Sequence, residues 1–143
     1  MKTLKLIIPA IALMLAVNIT KAEDGKQPVE KLTKSYAVNT YIDAITHGKV
    51  DGLDQIIDNN TKFNMVQAKK VVSYSKTEMI KHLESLRNIE QTCSTTADVM
   101  EEDNDVSVIK VNQYYPGFIR TNYVTIANTG SGWKITNVYS VFK

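Results

Sequence analysis

His47, His82, Cys93 and the run Glu101-Glu102-Asp103-Asn104-Asp105 carry the most obvious chemistry in this chain of 143 residues. An imidazole can act as a general base or hold a metal, and a thiolate can act as a nucleophile. Their placement supports neither use. The histidines are far apart in sequence with no neighbouring ligand residue, which does not make a zinc site. His47 abuts Gly48 at a helix end, where a cation is favoured and exposure is expected. His82 lies between Lys81 and Leu83, on the outer side of a helix. Cys93 is the single cysteine, so it lacks a disulfide partner within the chain and a CxxC companion. It reads as a small strand residue, with pairing between molecules left open in an oxidising compartment. The acidic run lacks the spacing of a calcium loop and reads as a solvated hairpin turn. No GxSxG elbow, HExxH helix or phosphate-cradling glycine loop occurs. Neither a metal nor a cofactor is expected.

A second set of residues could bind without reacting. Tyr36, Tyr41, Phe63, Met65, Tyr74, Tyr114, Tyr115, Tyr123, Trp133 and Tyr139 include all seven tyrosines of the chain. A tyrosine buries an apolar ring but needs a partner for its hydroxyl, so several together can line a partly polar pocket. Asn112, Arg120, Asn122 and Asn137 come from neighbouring strands and could give such a pocket directional hydrogen bonds. The alternative is that the tyrosines stand on an outer sheet face, at the rim of a dimer.

The elements that must position these groups follow from pattern. Val106–Tyr115, Phe118–Asn128 and Trp133–Phe142 are rich in β-branched and aromatic residues and are separated by Pro-Gly and Thr-Gly-Ser-Gly, as in an antiparallel meander. Strict alternation puts Trp133, Ile135, Asn137, Tyr139 and Val141 on one face of the last strand, and Lys134, Thr136, Val138, Ser140 and Phe142 on the other. Upstream, Pro28 suits a first helical turn. Val29, Leu32, Tyr36, Val38, Tyr41, Ile42 and Ile45 continue the helical spacing, and Gly48 is its left-handed cap. A short helix over Val50–Asp58, a turn at Asn59-Asn60 and strands over Thr61–Val66 and Lys69–Tyr74 follow. Ser75 and Glu78 form a capping box for a third helix faced by Met79, Ile80, Leu83 and Leu86. Ile89–Met100 reads as a weak strand. The order is that of an α+β domain, with three helices covering one curved antiparallel sheet.

The first segment stands outside that domain. Lys2 and Lys5 precede an apolar run, Leu6–Val17, and Thr20-Lys21-Ala22 offers small residues, the pattern of a secretory signal peptide over residues 1–22. The run is shorter than the roughly 20 residues needed to cross a bilayer. The mature domain is then residues 23–143, exported to the periplasm or the medium. Losing Lys2, Lys5 and Lys21 turns 17 basic against 15 acidic residues into 14 against 15. Without a basic excess, neither a nucleic-acid partner nor membrane association after cleavage is expected.

Tyr41-Ile42-Asp43-Ala44-Ile45-Thr46-His47-Gly48-Lys49-Val50-Asp51-Gly52-Leu53, Tyr115-Pro116-Gly117 with Thr121-Asn122-Tyr123-Val124-Thr125-Ile126, and Gly132-Trp133-Lys134-Ile135-Thr136-Asn137 resemble the nuclear transport factor 2-like superfamily. Within it the chain resembles the putative lumazine-binding branch, related to SnoaL-like proteins, over about Val29 to Phe142. The resemblance implies a cone-shaped α+β fold. That fold hosts enzymes, ligand binders and accessory domains alike. Ketosteroid isomerases of this superfamily carry an oxyanion-hole tyrosine and an aspartate base. By resemblance the tyrosine falls at Tyr41, but the aspartate falls at Met65, whose thioether cannot take a proton near neutral pH.

The leading reading is an exported protein that binds a small aromatic or heterocyclic molecule without turning it over, through Tyr41, Met65, Tyr115, Arg120, Asn122, Trp133 and Asn137. A second is a SnoaL-like isomerase, cyclase or dehydratase using Tyr41 with Asp43 or His47. A third is a domain without a small ligand that forms a homodimer through its sheet face.

Overall fold

The computed structural model describes residues 33–143. The segment read as a signal peptide lies outside them, as do Pro28, Val29 and Leu32. The elements are α1 (Lys34–His47), α2 (Leu53–Ile56), β1 (Ile57–Gln67), β2 (Lys70–Ser75), α3 (Lys76–Ser85), β3 (Ser94–Glu102), β4 (Val106–Tyr115), β5 (Phe118–Asn128) and β6 (Trp133–Phe142).

Thr33 is extended and its side chain accepts the Tyr36 N–H, so α1 starts at Lys34. Its buried residues Ala37, Tyr41, Ala44 and Ile45 recur three and four apart and form the stripe that meets the sheet. Gly48, at φ 66°, donates its N–H to the Asp43 carbonyl and ends the helix. Only glycine fits there, because a Cβ would stand 2.6 Å from the Leu86 carbonyl oxygen. That close approach ties the end of α1 to the loop after α3, and Asn88 N–H donates to Gly48 O at 2.9 Å.

Three boundaries differ from the sequence reading. The second helix is one turn, because Ile57 is already extended and fully buried opposite Ile135. Asn59 and Asn60 lie within β1 and do not form a turn. β3 begins at Ser94, because the preceding loop spends its donors on α1, with Gln91 N–H on the Thr46 carbonyl at 2.8 Å. Cys93 therefore stands just before the strand, half-buried. The capping box forms as read: Ser75 Oγ accepts Glu78 N–H, and the Glu78 carboxylate accepts Ser75 N–H at 2.8 Å. The acidic run folds back on itself, Asp103 Oδ1 accepting both Asp105 N–H and Val106 N–H at 2.8 Å.

The strands form one sheet in the order β2-β1-β6-β5-β4-β3. Every neighbouring pair is antiparallel except β1 with β6, which is parallel. A register shift between β5 and β6 then changes which residues face the helices. Thr125 pairs with Asn137 but Ile126 pairs with Ile135, so Thr136 is an extra residue. Trp133 and Ile135 face the helices before the bulge, and Val138, Ser140 and Phe142 face them after it. Asn137, Tyr139 and Val141 are on the outer face. The alternation expected for β6 fails for this reason: one inserted residue inverts every side chain beyond it. The core joins Phe63, Ile109, Val111, Val124, Ile126, Ile135 and Val138 of the sheet to the α1 stripe, Leu53, Ile56, Met79 and Leu83.

Candidate functional site

The helix-covered face carries polar side chains in its interior. Asn122 of β5 and Gln113 of β4 are fully buried, and Ser140 of β6 is 2% exposed. They form one directed chain of hydrogen bonds. Arg120 Nη2 donates to Ser140 Oγ at 3.4 Å, and Ser140 Oγ donates to Asn122 Oδ1 at 2.6 Å. Asn122 Nδ2 donates to Gln113 Oε1 at 3.1 Å. Gln113 Nε2 donates to the Ile45 carbonyl and to Tyr115 Oη, both at 3.3 Å, and Tyr115 Oη donates to Gln91 Oε1 at 3.4 Å. The β4–β5–β6 register explains the line, because Asn122 is opposite both Val111 and Ser140, and Arg120 is opposite both Gln113 and Phe142.

Tyr41 projects from α1 onto this face, its ring 6.4 Å from that of Phe63. It is 1% exposed, and its hydroxyl has no hydrogen-bond partner among the described residues. Burial raises its pKa, with the nearby Arg120 charge opposing that rise. Tyr41 therefore stays a neutral donor in the physiological range. The Tyr115 hydroxyl is also pushed up, first by burial and then by Cys93, and Arg120 again opposes the shift.

Beside the polar line, α3 stands off the β1–β2 hairpin and leaves a cavity of about 520 Å³. Met65, Tyr74 and Met79 form its apolar wall, and Glu78, Lys81, His82 and Ser85 line it from α3. Those four α3 positions are three or four residues apart and so share a side of the helix. Met65 is the ladder partner of Ser140, which places this wall next to the Arg120 end of the hydrogen-bond line.

Tyr41, Met65, Tyr115, Arg120 and Asn122 thus share the helix-covered face. Trp133 shares that face but sits at the far end of β6, where it opposes Asn128, and Lys34 Nζ lies 4.8 Å from its ring centre. Asn137 stands on the outer face, and its Oδ1 accepts from Asn64 Nδ2 at 3.2 Å. The tyrosines divide between the two expected settings. Tyr74 and Tyr115 turn inward with Tyr41, while Tyr123 and Tyr139 are cross-strand partners on the outer face with Tyr114. Gln113, Ser140 and Gln91 were not legible as site residues, since single polar residues in strands read as solvated. His82 is exposed as expected, yet its exposed side lines the cavity. His47 Nδ1 contacts Glu90 Oε1 at 2.5 Å. Among the described residues no cluster of three metal-ligating side chains occurs.

Helices covering one face of a six-stranded sheet in this order form the nuclear transport factor 2-like fold. Residues 30–140 match the model of the family described as "Putative lumazine-binding", and the chain belongs to that family. No curated protein matches it. A nuclear transport factor 2-like protein of unknown function from Silicibacter pomeroyi DSS-3 superposes with a TM-score of 0.60 at 18% identity, over 76% of this chain and 90% of that one. A cystatin-like fold protein from Burkholderia xenovorans LB400 gives 0.59 at 13% identity, over 82% and 94%. A nuclear transport factor 2-like protein from Cytophaga hutchinsonii ATCC 33406 gives 0.57 at 14% identity, over 73% and 91%. At these identities the likeness is one of fold.

Proposed function

We propose that this is an exported protein that binds a small aromatic or heterocyclic molecule on its helix-covered face without turning it over. The observation that carries the reading is the cavity of about 520 Å³. That volume lies within the roughly 300–1,000 Å³ of small-molecule sites. Its wall of Met65, Tyr74 and Met79 suits a flat ring, since thioethers and aromatics both pack well on π-faces. The polar edge from α3 would fix the ring's orientation. A pteridine-like heterocycle of the kind in the family's description is the first candidate.

Catalysis of the isomerase type has little support. Tyr41 could polarise a carbonyl, but the position implied for a base holds Met65, and a thioether cannot abstract a proton. Homodimerisation through the outer sheet face is compatible with ligand binding. Tyr114 and Tyr139, each 41% exposed, favour it. Sedimentation at micromolar concentration would decide that point.

Native mass spectrometry of protein purified from its own host tests the main reading. The expected result is a stoichiometric small-molecule adduct that is lost in Ser85→Trp, which fills the cavity from α3. A wild type free of adduct that shows no thermal shift with lumazine or related heterocycles would overturn it.

A further inference from the structure

We infer that Arg120 and the rings beside it form a site for the carboxylate of an aromatic acid. The hydrogen-bond line runs in one direction only. Each member from Ser140 to Tyr115 both accepts and donates along it. Arg120 is the head of the line and its only cation. A guanidinium has five N–H donors and no acceptor. Here it makes one hydrogen bond, the 3.4 Å contact to Ser140, and its Nε is the buried side-chain nitrogen without a partner among the described residues. None of the ion pairs among those residues includes Arg120. The site therefore has a surplus of donors and of positive charge, and a planar anion accepting two parallel N–H bonds would satisfy both.

The neighbouring rings decide what the anion is attached to. Arg120 lies 5.6 Å from the centre of the Phe142 ring. Phe118 is 6.3 Å from Phe142 and stacks on Tyr115 at 4.6 Å with the planes 6° apart. Phe118 and Phe142 remain 42% and 40% exposed. Exposed phenyl faces beside an unpaired guanidinium match a ligand with a ring and a carboxylate side by side. Acetate supplies the charge without the ring, and an aryl amide the ring without the charge. The site shares with the proposed function only the premise that the helix-covered face takes a small molecule, because the cavity under α3 has a different lining.

The test uses the full chain with 1-naphthoate, its neutral twin 1-naphthamide, and acetate. Affinity is read by calorimetry, and the Arg120 Nε–H resonance by NMR. Naphthoate should bind at least tenfold more tightly than either control and shift that resonance. Arg120→Gln should weaken it at least tenfold, Arg120→Lys less, and Phe118→Ala by several-fold, with melting curves confirming that each variant folds. Ser85→Trp should leave naphthoate affinity unchanged. Equal affinity for naphthoate and naphthamide, no naphthoate binding at millimolar concentration, or full affinity in Arg120→Gln would each overturn the inference. Loss in Ser85→Trp with none in Arg120→Gln would overturn it while leaving the cavity reading standing.

Discussion

The Ser140 hydroxyl donates to Asn122 Oδ1 at 2.6 Å across β5 and β6, inside the face that the helices cover. Asn122 is fully buried, and its Nδ2 in turn serves Gln113. Asn122→Ala would strand an acceptor on Gln113 and leave the Ser140 donor without its partner. Each orphaned buried group costs about 1–3 kcal/mol, so the substitution should destabilise the fold by roughly 2–4 kcal/mol. Urea denaturation measures it, and a loss under about 1 kcal/mol would mean that water replaces the line.

Tyr41 makes the opposite case. Its ring is buried against the core, and its hydroxyl makes no hydrogen bond among the described residues, so the ligand-free protein draws little stability from that hydroxyl. Tyr41→Phe should therefore change stability by less than about 1 kcal/mol, since no hydrogen bond within the protein is lost. Tyr41→Ala should cost about 3–5 kcal/mol through the cavity it leaves against Phe63. In thermal melts with the natural ligand, Tyr41→Phe should lose part of the ligand-induced shift. An unaltered shift would place the ligand away from α1.

Trp133 is only partly buried against the core, and Lys34 covers its ring. Trp133→Ala should cost about 2–3 kcal/mol, below the 3–5 typical of a fully enclosed tryptophan. An equilibrium melt that shows no loss would remove it as an anchor of β6.

What the sequence disclosed of the fold, and what it hid, has a physical pattern. The Ser75–Glu78 capping box, Gly48 and the strand-forming runs act locally, so the end of α1, the start of α3 and the terminal meander were legible, whereas the Thr33 cap and the short extent of α2 were not. The extra residue Thr136 is set by pairing between strands, and Thr125, Thr136 and Asn137 suit either face of a sheet. The inward turn of Ser140 and Phe142 was therefore hidden. The parallel β1–β6 pair is likewise a tertiary choice. Of the site, Tyr41 and Arg120 were visible as unusual side chains, whereas Gln113 and Ser140 gain their meaning only from what they oppose.

The capping box of α3 gives a pH-dependent prediction. Glu78 has a pKa below its ordinary 4.5, first because its carboxylate accepts the Ser75 N–H and then through the Ser75 side chain. For an acid with a depressed folded-state pKa, the contribution is fully present above about 4.5 and is lost as pH falls through the lower folded value. Ser75→Ala should cost about 1 kcal/mol at neutral pH. Glu78→Gln should flatten the part of the stability–pH curve below 4.5 that belongs to this carboxylate. Chemical denaturation at several pH values reads both, and an identical acid limb in Glu78→Gln would show that the box does not set it.

The β1–β2 hairpin closes through Ala68 and Lys69, at φ 47° and 64°, with Gln67 paired to Lys70. Two-residue hairpin turns with positive φ at both positions favour Asn-Gly because other side chains crowd the backbone there. A residue with a Cβ in the left-handed region costs about 1–2 kcal/mol. Lys69→Gly removes that strain but adds freedom to the unfolded chain, which offsets roughly 0.4–1 kcal/mol. The net expectation is a gain of about 0.5–1 kcal/mol, from the strain less the offset. Lys69→Val should lose stability instead, since a β-branched side chain is worse at positive φ. Tyr74 and Met65 of this hairpin wall the cavity, so a firmer turn should leave its lining in place. Paired melts of the two variants give the sign directly, and a hairpin stabilised by valine would mean that the turn does not take this conformation in solution.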